Sequence, residues 1–370
     1  MDFDLSPELL ALREEALEVG RAAAARQERT EDTWLVVPDR EFSLELARRG
    51  WIGMTWPTEV GGGGRSAIER FVVYEALLST GAPLASSWFA DRQMGPSLLQ
   101  FGTPEQQERY LPQILDGTSA WSIGMSEPDA GSDVASIRTR AVRDGDHFVV
   151  NGQKIWNSGA AHADLIYLVC RTDPDAKPHL GMSELIVDMH SPGISVVPIK
   201  DMTTSEHFCE VWFEDVRVPA ENLVGQLNGS FGQLMKQLEH ERGGADRLLS
   251  NRRLYKDCLA VADTSDPLVR QEIAAIETGY RIGRLLVLRE VLGQAPKQFS
   301  AATKTFCTEL EQRIATFCAG TLGAYALIAE PGLSARVARN VCYAPAYTIM
   351  GGTSNILRNI LGERVLGLPR

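Results

Sequence analysis

Apolar and polar positions repeat along this chain with two periods, and the period switches twice. In the first third, Ile68, Phe71, Val72, Ala76 and Ser79 recur at helical spacing. Ser6-Pro7-Glu8 sets an N-cap hydroxyl before a proline at the first helical position, where a missing N–H is no loss. Thr103-Pro104-Glu105-Gln106 repeats the device, with Gln106 placed to close a capping box. Near Trp121 the pattern becomes strand-like, in runs at 136–143, 147–151, 165–171, 183–188, 194–198 and 210–218. Ile137, Thr139 and Ala141 alternate with Arg138, Arg140 and Val142, so one face is drier than the other. Asp144-Gly145-Asp146 reads as a hairpin-type turn. No long helical pattern separates the runs, which argues for an antiparallel sheet or barrel and against a doubly wound dinucleotide fold. From about Gly229 the helical period returns, with Phe231, Leu234, Leu238, Ala245 and Leu248 on one stripe and later helices at 267–292, 300–320 and 334–349. The fold class is therefore α+β, in three parts: a helical N-terminal domain (1–120), a middle antiparallel β-barrel domain (121–228) and a C-terminal helical bundle (229–370).

Composition narrows the function classes. A chain of 370 residues with 44% hydrophobic and 23% charged residues is long enough for two or three packed units of an ordinary globular enzyme. A formal charge of −11 makes it a poor general binder of nucleic acid, which is held mainly by Lys and Arg. It leaves room for an anionic ligand on a local patch rich in basic or N–H groups. Cys170, Cys209, Cys258, Cys307, Cys318 and Cys342 are scattered without a Cys-x-x-Cys pair, as expected of reduced thiols in a cytosolic protein. The start, Met1-Asp2-Phe3-Asp4-Leu5, lacks the apolar core of a signal peptide, and no run approaches a membrane span. The six histidines show no metal-ligand spacing. A cytoplasmic protein with no metal and no membrane insertion is expected. The glycine run at 61–64 reads as a turn, because no strand precedes it and Gly-x-Gly-x-x-Gly is absent.

Two segments carry candidate chemistry. In Trp121-Ser122-Ile123-Gly124-Met125-Ser126-Glu127-Pro128-Asp129-Ala130-Gly131-Ser132-Asp133, small and hydroxylic residues lead from a strand into a tight turn. Such a turn can offer backbone N–H groups to an anion or a polar ring edge; it can equally be a structural turn held by Asp and Ser side chains. In Asn151-Gly152-Gln153-Lys154-Ile155-Trp156-Asn157-Ser158-Gly159, Trp156 can pack on a flat heteroaromatic ring while Ser158 donates to a ring nitrogen. A Trp in a sheet is also commonly core.

Together these segments resemble the acyl-CoA dehydrogenase family. Ser126-Glu127-Pro128-x-Ala130-Gly131-Ser132-Asp133 is similar to the family's first signature, Asn151-Gly152-x-Lys154-x-Trp156-x-Ser158 to its second, and Gly352-Thr353-Ser354-Asn355-Ile356-Leu357-Arg358-Asn359-Ile360 to its third. Gly50-Trp51-Ile52-Gly53 and Gly102-Thr103-Pro104-Glu105-Gln106 also fit, so the resemblance runs in order along essentially the whole chain. It implies FAD as cofactor, with Ile123 among its contacts, Met125 and Ser126 at the pyrimidine edge of the isoalloxazine, Trp156 over one face, Ser158 near N5, and Thr353 and Asn355 along the ribityl, phosphate or adenosine region. Ser132 would touch CoA. The implied substrate is an acyl-CoA, the implied electron acceptor an electron-transferring flavoprotein, and the implied assembly a homotetramer or dimer.

The family's reaction removes an α proton with a carboxylate while a β hydride passes to the flavin. Many members carry that Glu just before the Gly-Thr of the third signature, but Met350-Gly351-Gly352-Thr353 has Gly351 there. Some relatives place the base instead on the first C-domain helix before an Arg, which maps onto Glu241 in Leu238-Glu239-His240-Glu241-Arg242. Glu241 is thus the candidate base, and Arg242 a group that steadies it or meets substrate. Gly351 keeps a backbone N–H able to bind the thioester oxygen. The Glu241 placement with Gly351-Gly352 resembles bacterial dehydrogenases of bulky, branched or sterol-derived side chains. The Arg-x-x-Phe-Gly that relatives use for the FAD pyrophosphate is missing; Arg270, Arg281, Arg284 and Lys304 are candidate substitutes. Two alternatives stand beside the dehydrogenase: a non-catalytic or half-catalytic subunit paired with a paralogue, and a flavin oxidase or monooxygenase on the same fold.

Overall fold

The computed structural model describes residues 5–28, 30–242, 245–328 and 331–369, with 238–242 described by their helical backbone alone. Its contacts form two compact units. One gathers Leu35–Gly64 with Leu84–His240; the other gathers the chain up to Trp34, Arg65–Pro83 and the described residues from Glu241 onward.

The first unit is built on an eight-stranded sheet: β1 (Trp121–Gly124), β2 (Arg140–Asp144), β3 (His147–Ser158), β4 (Leu165–Arg171), β5 (Met182–Asp188), β6 (Ile194–Ile199), β7 (Phe208–Pro219) and β8 (Leu223–Val224). The order is β6-β7-β3-β2-β4-β5-β8, with β1 on β4. The sheet is mostly antiparallel, but not wholly so. β1 and β2 share one edge of β4, β1 along its start and β2 only at Arg171, and both run parallel to it. The link between them, through the turn Val134–Ser136, returns the chain in its original direction rather than as a hairpin. The alternation at 137–142 holds in burial, with Ile137, Thr139 and Ala141 inside and Arg138, Arg140 and Val142 outside, although strand pairing begins only at Arg140. Phe148, Val150, Ile166, Leu168, Val211 and Phe213 fill the core of the sheet. The capping box of Thr103 and Gln106 starts the helix Pro104–Leu115, and Gln106 Nε2 also donates to the carbonyls of Glu221 (2.6 Å) and Leu223 (2.8 Å). The amides of Gly62, Gly63 and Gly64 donate back to Pro57, Gly53 and Trp56, so this glycine run is a closed turn and presents no phosphate cradle.

The second unit is helical. The helix Pro7–Ala24, capped by Ser6, lies against Ala67–Thr80, capped by a Ser66–Glu69 box. Gly20 permits the approach, since a Cβ there would collide with Thr80 Oγ1. The C-terminal helices are Asp246–Leu249, Arg252–Leu259, Pro267–Val291, Ser300–Leu322, Leu333–Tyr347 and Ser354–Ile360. The stripe expected from Phe231 to Leu248 is divided between the separate helices Ser230–Arg242 and Asp246–Leu249, and Leu238 lies outside the side chains described. All six cysteines are free thiols, and five are buried. Among the described residues no helix is long and apolar enough to cross a membrane, and no group of three or more His, Cys, Asp or Glu is placed to hold a metal ion.

A buried ionic seam joins the segment after the first helix to Leu333–Tyr347. Arg336 pairs with Glu31 and with Asp257 (2.6 Å), and Arg339 with Asp32 (2.6 Å). Glu31 is 6% exposed. Burial pushes its carboxyl up to about 6 against the pull of Arg336, and burial raises Asp32 in the same direction. A carboxyl raised in the folded state binds its proton more tightly there, so its contribution is full below the unfolded value of 4.5 and is lost as pH rises through about 6. The predicted outcome is that the unfolding free energy of the wild type, relative to Glu31→Gln, falls by about 2 kcal/mol between pH 4.5 and 7.5. Denaturant titration of both proteins at the two pH values checks this, and a difference independent of pH contradicts it.

Candidate functional site

The two signature segments of the sheet unit are bolted together from beneath. Asn157 Nδ2 donates to Ile123 O (2.6 Å), Lys154 Nζ to Met125 O (3.0 Å), and Ile155 N to Ser126 O (3.0 Å). Ser122 Oγ donates to Ser158 O (3.0 Å). Three successive anchor points, the carbonyls of 123, 125 and 126, are thereby turned toward β3, and none of these bonds uses the amide N–H of Met125 or Ser126.

Under this joint lies a buried ion pair. Lys154 Nζ meets Glu127 Oε1 at 2.8 Å, and their side chains are 0% and 7% exposed. Glu127 also accepts from the amides of Arg138 (2.6 Å) and Thr139 (2.9 Å). Burial pushes the Glu127 carboxyl up, but the Lys154 charge and these donors outweigh it and hold it below the ordinary range. Burial lowers the Lys154 ammonium, with Glu127 holding against it.

Directly above, β3 bulges. Between Lys154 and Asn157 the strand has one residue more than β7 opposite it. Trp156 sits in that bulge with φ 63°, a conformation a bulky side chain rarely takes, and is 55% exposed. Its ring meets Phe208 edge-on, centroids 5.7 Å apart. Trp156 is therefore not core. Ile123, Met125, Ser126 and Ser158 are half-buried around the same joint, and Met125 leans on the cluster of Ala130, Val134 and Leu234. Ser132 is exposed beyond the turn.

A second buried carboxylate holds the helix Ser230–Arg242. Glu184 on β5 accepts from Tyr167 Oη (2.6 Å), Ser230 Oγ (2.9 Å), Gln233 Nε2 (2.9 Å) and Gln237 Nε2 (3.0 Å). Burial raises its carboxyl, and the four donors pull the other way. Ser230, Gln233 and Gln237 fall at i, i+3 and i+7, one face of the helix. Glu241 follows Gln237 by one turn of sequence; the side chains of Glu241 and Arg242 lie outside the described residues.

In the helical unit, Gly351 and Gly352 form the turn between Leu333–Tyr347 and Ser354–Ile360, with φ 64° and 91°. Thr353 caps the second helix, its Oγ1 accepting from Ile356 N at 3.3 Å, and Asn355 is exposed in its first turn. Of the cations considered for a pyrophosphate, Arg284 pairs with Glu75 (2.6 Å), Arg270 donates to the carbonyls of Thr264 and Ser265, and Lys304 is fully buried. Arg281 adds its charge to that of Arg252 in lowering Glu277.

Glu127, Lys154, Asn157 and Glu184 had no role assigned from sequence. A signal existed for Lys154: it falls in a strand on the parity of buried residues, where an unpaired ammonium is unstable, and so calls for a carboxylate nearby. Glu184 offered the same signal inside an apolar run. The arrangement suits a flat heteroaromatic ring, with an exposed Trp held in a strained bulge beside a loop whose carbonyls are drawn inward.

Glu127→Ala is predicted to destabilise the protein by roughly 3 kcal/mol, because it strands a buried ammonium. Replacing both partners, Glu127→Leu with Lys154→Met, recovers part of that loss in denaturant unfolding. A double variant no more stable than Glu127→Ala would contradict the pairing.

Comparisons with known proteins identify the family. The descriptions of the acyl-CoA dehydrogenase N-terminal, middle and C-terminal domains match residues 6–118, 122–216 and 231–366. The chain is similar to acyl-CoA dehydrogenase IpdE1 of Mycobacterium tuberculosis, 36% identical over 90% of this chain and 88% of that protein. It is similar to acyl-CoA dehydrogenase FadE29 of the same organism, 34% identical over 100% of this chain and 99% of the relative. Among solved structures it superposes on the Tcur3481-Tcur3483 steroid ACAD with TM-score 0.91, at 33% identity over the full length of both chains. It superposes on a chain of the ChsE4-ChsE5 complex from Mycobacterium tuberculosis with TM-score 0.88, at 32% identity, again over the full length of both chains. With all three domains matched in order, the chain belongs to the acyl-CoA dehydrogenase family of oxidoreductases.

Proposed function

We propose that this chain binds FAD and dehydrogenates an acyl-CoA between its α and β carbons, giving the 2-enoyl-CoA, with Glu241 as the base. The observation that carries the reading is Trp156, an exposed indole kept in a strained bulge beside the pinned 123–126 loop. Strain of about 1–3 kcal/mol at such a residue persists only where the surrounding structure holds it, and such residues cluster at ligand sites. On this reading Ile123, Met125, Ser126, Trp156 and Ser158 hold the ring, Thr353 and Asn355 the remainder of the cofactor, and Ser132 and Arg242 the CoA thioester. The chain is taken as three domains, 1–120, 121–228 and 229–370. When bound, FAD supplies the acceptor for the hydride that leaves the β carbon.

The chain's own residues handle the proton. An α proton next to a thioester is weakly acidic, so the carbonyl must be polarised as negative charge develops on its oxygen. The Gly351 N–H serves there, a role that does not need the carboxylate many relatives carry at that position. Glu241 takes the proton, at the end of a helix fixed to β5 through Glu184 one turn earlier. The substrate class proposed is a bulky or steroid-derived acyl-CoA, the electron acceptor an electron-transferring flavoprotein, and the compartment the cytoplasm.

A second reading concerns assembly. The structural relatives named Tcur3481-Tcur3483 and ChsE4-ChsE5 each pair two chains. This chain has Gly351 where many relatives carry the base, and Tyr325, Leu327, Ile349, Leu366 and Leu368 of its helical unit are exposed. A paralogous partner, in place of a homotetramer or dimer, fits these observations.

The test is anaerobic bleaching of the flavin by a panel of butyryl-, octanoyl-, isovaleryl- and steroid-side-chain-CoA thioesters. Glu241→Gln is expected to slow bleaching at least 100-fold or so while the protein stays yellow. Undiminished bleaching would reject Glu241 as the base. Activity only after mixing with a second chain of the family would select the heteromeric reading.

A further inference from the structure

Lys304 lies in the second turn of the helix Ser300–Leu322 with no exposed surface. Its ammonium donates to Gly352 O at 2.9 Å and to Tyr347 O at 3.2 Å. Tyr347 ends the helix Leu333–Tyr347, so its carbonyl is one of the last four that lack an intrahelical N–H, and a cation there meets the negative end of the helix. Gly352 lies five residues further on, across the turn. One ammonium therefore braces both sides of the segment 348–351.

That segment needs a brace. Gly351 and Gly352 are consecutive left-handed residues without side chains, and glycine moves between backbone regions at little cost. The rest of the turn is fastened before the glycines: Ile349 N and Met350 N donate to Ala346 O (3.0 and 2.9 Å), Ser354 N donates to Thr348 O (2.9 Å), and Gln312 Nε2, on the same long helix as Lys304, donates to Thr348 Oγ1 (2.8 Å). Of these contacts only that of Lys304 reaches the glycine pair itself, and none uses the N–H of Gly351. A methionine would fill the same space without the penalty of desolvating a charge. The two carbonyls it holds offset part of that penalty.

We propose that Lys304 is a positioning residue for the dehydrogenation, orienting the Gly351–Gly352 turn so that the Gly351 N–H is fixed on the thioester oxygen. This rests on the role given to Gly351 above.

The experiment uses the FAD-loaded full chain, with its partner chain if one is required. The panel thioester that bleaches fastest is prepared as its 2-enoyl product with 13C at the carbonyl, and its stretching frequency is read by Raman difference spectroscopy when bound. In the wild type the carbonyl band shifts to lower frequency. Lys304→Met is expected to lose most of that shift and on the order of 100-fold in kcat, with KM changed by less than about threefold. Lys304→Gln, which keeps an N–H donor, recovers part of both and serves if the methionine variant does not fold. A folded variant with the wild-type band and kcat within about twofold overturns the proposal. A wild type with no shift overturns instead the assignment of Gly351, on which the proposal stands.

Discussion

The ion pair between Lys154 and Glu127 organises the sheet unit's side of the candidate site. An ammonium with no exposed surface is tolerable only if its charge and its donors are matched, and Glu127 does this while capping two amides of the chain that leads into β2. Because Lys154 also holds Met125 O, the loop after β1 is drawn against β3. The bulge at Ile155–Trp156 then has a fixed floor, and Trp156 stands out from it instead of sinking into the core. Loss of this pair would loosen β1, β3 and the loop between them together.

The same economy recurs elsewhere. Glu184 gathers four neutral donors and so fastens the helix Ser230–Arg242 to β5, without a cation bonded to it among the described residues. Lys304 gathers the carbonyls of Tyr347 and Gly352 and so fastens a turn. Glu31, Asp32, Arg336 and Arg339 use charge against charge. In each case a buried polar end is aimed at backbone or side-chain groups of a different element, where it sets position more than it adds net stability.

Much of this was legible in the chain beforehand, and the reason is periodicity. The caps at Ser6 and Thr103, the helix at 267–291 and the strand at 165–171 follow from spacing and local chemistry alone. The parallel pairing of β1 and β2 with β4 did not, because strand direction depends on a crossover that leaves no local pattern. Lys304 was weighed as a surface cation for phosphate; a lone Lys in a helix carries no mark of being buried until the facing turn is known. Trp156 was open to two readings, and its exposure turned on a one-residue bulge that only the pairing with β7 reveals.

The two units are interleaved along the chain, and that has a bearing on how the protein is made. The helices Pro7–Ala24 and Ala67–Thr80 emerge early, yet their unit is completed by residues beyond 240. With roughly 5–20 residues added per second, they wait on the order of ten seconds on the ribosome while 84–240 are synthesised. Throughout that interval the pair lacks the C-terminal helices that complete its unit. The tight Gly20–Thr80 contact gives it a surface on which the two helices can bury apolar side chains before the remaining bundle is made.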